Sequence, residues 1–184
     1  MITSAQIGEP ADVLYRIKRG LSGYVSYLAA CEMNQSFSEY VLYEPILRIL
    51  PARGFVVDSE KECPGISHAE KGDRKRLDFV ASGNGVRFAL EVKWARQRTI
   101  DVANDHSKLQ AFLTDDEAPP PRAFLCVFGR KSHIADLKLR PGGFRERGST
   151  VVADFGRTRF RCRVFELQPS ERSRKEPRRR RTRS

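Results

Sequence analysis

The sequence predicts an α/β domain: a mixed sheet flanked by helices in the order α-β-β-β-α-β, with an extra helix in front and a hairpin behind. Two observations carry this. The spacing of apolar residues is three to four over the first fifty positions, two between Phe55 and Trp94, and helical again after Asp101. The run AFLCVFG, Ala123 to Gly129, is apolar almost throughout, which is the pattern of a strand buried on both faces.

Taken in order, Pro10 to Cys31 reads as a helix. Pro10 and Asp12 suit its first turn, and Val13, Leu14, Ile17, Leu21, Tyr24, Val25 and Leu28 recur every three or four residues. Gly20 and Gly23 work against it at about 1 kcal/mol each relative to Ala. Ser36-Phe37-Ser38-Glu39 has the form of a capping box, and a second helix follows through Tyr40, Tyr43, Leu47 and Leu50. Pro45 is expected to kink that helix and PARGF to end it. Phe55–Glu62, Arg76–Ala81 and Val86–Trp94 are expected strands, the last two joined by Ser82-Gly83-Asn84-Gly85. Asp101–Leu113 returns to a helix, DDEAPPPR to a loop, and His133–Leu139 to a short helix. VVADFG and TRFRCRVFEL form a final hairpin. The expected organisation is a helical extension over 1–34, the main domain over 35–168, and a basic tail over 169–184 whose lack of periodicity predicts disorder.

With 184 residues, 40% of them hydrophobic, the chain suits one compact domain. Its four cysteines stand far apart without a C-x-x-C, which argues against zinc or a disulfide framework and suits a reducing cytoplasm. MITSAQIGEPADV has no basic stretch leading into an apolar core, so no secretory signal is expected. The longest uncharged stretch, Leu21–Cys31, has 11 residues. A bilayer needs about 20, so no membrane partner is expected. Net charge is +11. From Ser170 onward eight Lys or Arg stand against two Glu, so +6 lies in the tail and +5 in the rest. Both parts suit a polyanion, and a location in the cytoplasm, at the nucleoid in a bacterial cell, is the matching expectation.

The stretch Arg87–Trp94, RFALEVKW, alternates polar and apolar residues, with Glu91 and Lys93 on its polar face. If Ala81 pairs with Val86 across the hairpin, Asp78 falls opposite Ala89 and diagonal to Glu91, with Lys93 continuing the same face. Diagonal neighbours have Cβ atoms about 7–8 Å apart, close enough for both carboxylates to reach one cation. Phe79, Ala81, Phe88, Leu90 and Val92 point the other way, so a one-residue slip would bury the acids. Two carboxylates with open positions suit Mg²⁺ or Mn²⁺, which prefer oxygen ligands and keep several waters. Lys93 beside the ion could orient or deprotonate a water, the latter only if its pKa fell. Glu-x-Lys alone is common in exposed strands; Asp78 on the matched face and the element order give it meaning.

On these residues, RLDFV, a hairpin, then FALEVKW, with DHSKL in the helix that follows, the chain resembles the PD-(D/E)XK nuclease superfamily, the restriction-endonuclease-like fold. The resemblance spans about Phe37 to Arg130 and departs from the motif in having Leu77 where its name has Pro. It implies Asp78 and Glu91 as metal ligands, the Val92 carbonyl as a third, and Lys93 as the catalytic lysine. A glutamate from the preceding helix often joins such a site; Glu39 and Glu44 both qualify, and Glu39 is equally explained by the capping box.

Beyond these, the loop AEKGDRKR brings Lys71, Arg74, Lys75 and Arg76 next to Asp78, where they would hold a phosphodiester backbone together with Arg178, Arg179, Arg180 and Arg181 of the tail. Lys108 could hold a phosphate, or form a helix-surface ion pair with Asp105. Glu60 and Lys61 suit a solvated edge. His68, His106 and His133 share no ligand spacing, and Trp94 and the tyrosines suit the core better than base stacking. The expected function is a Mg²⁺-dependent nuclease acting on DNA rather than RNA, alone, as a homodimer or within a larger complex. Its rivals are a non-catalytic nucleic-acid-binding or assembly module of the same fold, and an interaction protein docking its basic tail on an acidic partner.

Overall fold

The computed structural model describes residues 10–33, 38–67, 74–115, 119–155 and 158–169. Its main sheet has seven strands. β1 (Val56–Ser67), β2 (Arg74–Gly83), β3 (Val86–Ala95), β5 (Pro121–Arg130), β9 (Thr158–Leu167) and β7 (Phe144–Glu146) lie side by side in that order, and β8 (Val151–Phe155) also pairs with β9. β3 and β5 run parallel and the other pairs antiparallel, so the sheet is mixed. α1 (Pro10–Ala30) and α2 (Tyr43–Ala52) cover one face; α3 (Ala103–Leu113) covers the other.

β5 shows why the sheet sits between two layers. Phe124, Cys126 and Phe128 enter the core beneath α1 and α2, while Ala123, Leu125 and Val127 enter the core beneath α3. Every residue from Ala123 to Gly129 is buried, so its continuous apolar run reflects two cores served by one strand. α1 belongs to the first core through Val13, Leu14, Ile17, Leu21 and Val25, all buried. Gly20 is where α2 crosses it. A Cβ there would stand 2.5 Å from Cδ1 of Ile49.

Several elements differ from expectation for local reasons. α2 begins with a 3₁₀ turn, Tyr40–Leu42, and has no side-chain cap; Ser36 lies outside the described residues. Pro45 stands in the first turn of α2, where proline is tolerated, and the proline inside the helix is Pro51, next to its last residue. The expected helix at His133–Leu139 shrinks to α4 (Lys131–Ile134). Its remainder is β6 (Lys138–Arg140), which pairs in parallel with β4 (Thr99–Asp101) as a separate two-stranded sheet. Among the described residues no helix is long and apolar enough to cross a membrane.

Candidate active site

The hairpin of β2 and β3 sets the two central acids. Gly83 pairs with Val86, Val80 with Ala89 and Phe79 with Leu90. This is two residues from the expected register, because the turn takes Asn84-Gly85 as its central pair. Both have positive φ, +53° and +72°, as a type I′ turn demands. A shift of two leaves every side chain on its expected face. It does move Asp78 from a place opposite Ala89 to one opposite Glu91. There the ladder ends and carboxylates take up the backbone: the Asp78 N–H donates to Glu91 Oε1 (3.3 Å), and the Val92 N–H donates to Asp78 Oδ2 (2.7 Å).

Both helical layers close on this point. From α3, the Lys108 Nζ donates to Glu91 Oε2 (2.5 Å) and to the Arg76 carbonyl (2.9 Å), with Asp105 Oδ1 at 3.7 Å. The Lys93 ammonium lies 3.5 Å from Asp105 Oδ2 and 3.8 Å from Glu39 Oε1. The same Glu39 oxygen accepts the Trp94 N–H (3.0 Å), so the segment leading into α2 is tied to β3 directly beside Lys93. Tyr43, on α2, packs its ring on Phe79 and donates its hydroxyl to Glu60 Oε1 (3.2 Å). Glu39, Asp78, Glu91 and Asp105 therefore gather around Lys93 and Lys108.

Burial sets the electrostatics. Glu91 is only 1% exposed, and burial, followed by the charge of Asp78, pushes its carboxyl up to about 9 despite Lys108. Asp78 is raised too, by burial, which outweighs the hydrogen bonds from Val92 and Tyr43. For Lys93 burial works against the ammonium, but Asp105 and Glu39 outweigh it and hold the pKa above an ordinary lysine's. Lys108 behaves alike, with Glu91 as its main support. The Tyr43 hydroxyl is raised by burial and by the charge of Asp78, so it stays a proton donor.

Other expected residues find different surroundings. Glu44 points to solvent and pairs with Arg48 one turn along, whereas Glu39 reaches the cluster. Lys108 and Asp105 are not a helix-surface pair, and the Lys108 ammonium is committed to Glu91 rather than offered to a phosphate. Lys75 donates to Asn104 Oδ1 (3.0 Å), and Arg76 is exposed. Glu60 and Lys61 lie exposed on the edge strand β1. The Arg74 side chain, Lys71, His68 and the tail arginines Arg178, Arg179, Arg180 and Arg181 lie outside what is described. Tyr15, Tyr27 and Tyr40 are exposed, against the expectation that tyrosines join the core; Trp94 does pack inward, on Phe128 and Phe160. Asp105 was not singled out for the site, yet it carried a signal. It stands at i, i+4 and i+7 with Leu109 and Phe112, which places a carboxylate on the buried stripe of α3.

No family model, curated protein or solved structure matches the chain. The fold and the cluster define an α/β protein with a mixed sheet and a buried, mostly acidic centre where two strands part. Among the described residues no three His, Cys, Asp or Glu side chains stand together as a ready metal-ligand group. By chemistry the donors suit a hard cation, since Asp78 and Glu91 offer oxygen atoms alone, and burial raises both carboxyls, so a cation held there would favour their ionised forms.

Proposed function

We propose that the protein is a metal-dependent nuclease of restriction-endonuclease-like fold that hydrolyses phosphodiester bonds, with DNA as its substrate. One observation carries this reading. Glu39, Asp78, Glu91 and Lys93 come from three separate elements and meet in one cluster, in which burial raises the carboxyls of Asp78 and Glu91. The order of helices and strands around them is the one that the resemblance to PD-(D/E)XK nucleases implies.

In this reading Asp78, Glu91 and the main-chain carbonyl of Val92 hold Mg²⁺ or Mn²⁺. Bound there, the ion supplies a water of lowered pKa and offsets charge on the phosphoryl oxygens. Lys93 stays protonated between Glu39 and Asp105, so it acts by orienting the attacking water and by opposing the charge that grows on the phosphorus centre, not by taking a proton. Glu39 and Asp105 position it. Lys108 balances Glu91. Lys75 and Arg76, at the end of β2 leading to Asp78, lie where a phosphate backbone would approach.

The test is incubation of the protein with linear, circular and single-stranded DNA and with RNA, in Mg²⁺ and in EDTA. Cleavage of DNA in Mg²⁺ that stops in EDTA is expected; cleavage that persists in chelator contradicts the two-carboxylate site. A second reading, a nucleic-acid-binding module without turnover, is favoured by the Lys108 ammonium lying on Glu91 Oε2. It predicts salt-dependent binding with no cleavage in either condition.

A further inference from the structure

Beside Lys93 the surface opens into a cavity of about 450 Å³, whose lining includes Tyr40, Lys93, Trp94, Arg96, Gln97 and Ile100. That volume falls within the roughly 300–1,000 Å³ of ordinary ligand sites. Trp94 and Ile100 give it an apolar part, and Arg96 and Gln97, exposed just past β3, give it groups able to bond a base edge or a phosphate. Tyr40 is its most exposed aromatic, 74% accessible.

An exposed ring on a loose segment would be an unremarkable surface tyrosine. Tyr40 has two ties to the fold. Its ring lies 5.4 Å from that of Tyr43, whose ring lies 4.6 Å from the buried Phe79, so an aromatic ladder runs from solvent to the core. Its neighbour Glu39 is bonded to the Trp94 N–H on β3. A flat, exposed aromatic ring beside cationic and amide groups, next to Lys93, is what a nucleobase needs on one of its faces. Bases inside a duplex have both faces covered by their neighbours, so only an unpaired or extruded base could use the ring.

Resting on the nuclease reading, we infer that this cavity binds one unpaired nucleotide next to the scissile phosphate, its base stacked on Tyr40, and that the substrate is single-stranded DNA or a single-stranded segment rather than intact duplex. Stacking on tyrosine tolerates any base, so the preference concerns strandedness and not sequence. Arg96 and Gln97 lie where they meet the base edge or the adjoining phosphate.

The experiment measures binding of a fluorescent single-stranded oligonucleotide and of a closed hairpin duplex in EDTA, so that nothing is cut, alongside cleavage of both in Mg²⁺. Tyr40→Ala should weaken single-strand binding roughly 5- to 150-fold, the loss that a base–aromatic stack carries. It should leave duplex binding and the melting temperature nearly unchanged, and Tyr40→Phe should bind as the parent does. One abasic position moved along the single strand should reproduce the Tyr40→Ala loss at a single register. Equal losses on strand and duplex, or no loss on either, overturn the inference. Cleavage with affinity independent of Tyr40 removes the cavity's role and leaves the nuclease reading standing. Tyr40-dependent single-strand binding without any cleavage removes the nuclease reading and leaves the cavity.

Discussion

Two clusters of charge in this molecule behave oppositely. At Glu146, on β7, Arg163 of β9 forms a two-pronged pair, and Thr150 adds a hydrogen bond. The arginine bond lowers the carboxyl's pKa, as in an ordinary structural ion pair. At Glu91, Lys108 supplies an equally close partner, yet the pKa rises to about 9 because burial and Asp78 outweigh it. Partner count does not distinguish them; the surplus of buried carboxylates does. A fold gains nothing in stability from crowding Asp78 against Glu91, which is why the surplus reads as chemistry and the Arg163 pair as scaffold.

The comparison can be broken by substitution. The largest effect is expected at Asp78. Asp78→Ala should abolish Mg²⁺-dependent cleavage, and adding Lys93→Ala should lower the residual rate little further, since both serve one step. Multiplying losses in single-turnover cleavage would show that they act separately.

A stability change of unusual sign should follow at Glu91. Its folded pKa is raised above the unfolded value of about 4.3, so its ionisation costs nothing below that pH, and the cost grows as pH rises toward about 9. In EDTA at pH 8, Glu91→Gln should therefore raise the melting temperature, and in Mg²⁺ the same variant should lose cleavage. A gain of about 1 kcal/mol corresponds to relieving less than one pKa unit. A lower melting temperature at pH 8 would mean that the Lys108 pair outweighs the burial cost.

The smallest effect is expected at Glu146, with the reverse sign. Its folded pKa is depressed, so its contribution is present above the unfolded value and fades as pH falls through the folded one. Glu146→Gln should lower stability by about 0.2–1 kcal/mol at pH 7 and by less in acid, as the carboxyl becomes protonated. Melting curves at pH 7 and pH 3 check this, and an equal loss at both would assign the effect to packing.

The strands that carry the site were readable in which way their side chains face but not wholly in their burial. The alternation of β3 predicts Glu91 on an open face, whereas α3 covers that face and Arg87 to Val92 are all buried. The alternation in RFALEVKW placed Glu91 and Lys93 on one face, and the two cores of β5 wrote themselves as an unbroken apolar run. The hairpin register was less certain, since SGNG admits both a Gly-Asn and an Asn-Gly centre; the two differ by a register shift of two, which preserves faces but moves Asp78 opposite Glu91. β4 and β6 have three residues each, too few for a period to show. The choice of Glu39 over Glu44 depends on which carboxylate meets the Trp94 N–H, a contact across 55 positions that no local pattern contains. Lys108 looked like half of a surface pair because its partner Glu91 lies on another element.

The central claim is that Lys93 serves chemistry and not architecture, and cleavage by Lys93→Ala tests it most directly. Its side chain is about one-third exposed and held by long contacts, so the variant should stay folded and bind DNA as the parent does. Removing a positioned charged group from the site should still slow Mg²⁺-dependent cleavage by about a hundredfold or more. A folded Lys93→Ala protein that cleaves at the parent's rate would reduce RFALEVKW to a well-patterned strand and contradict the account.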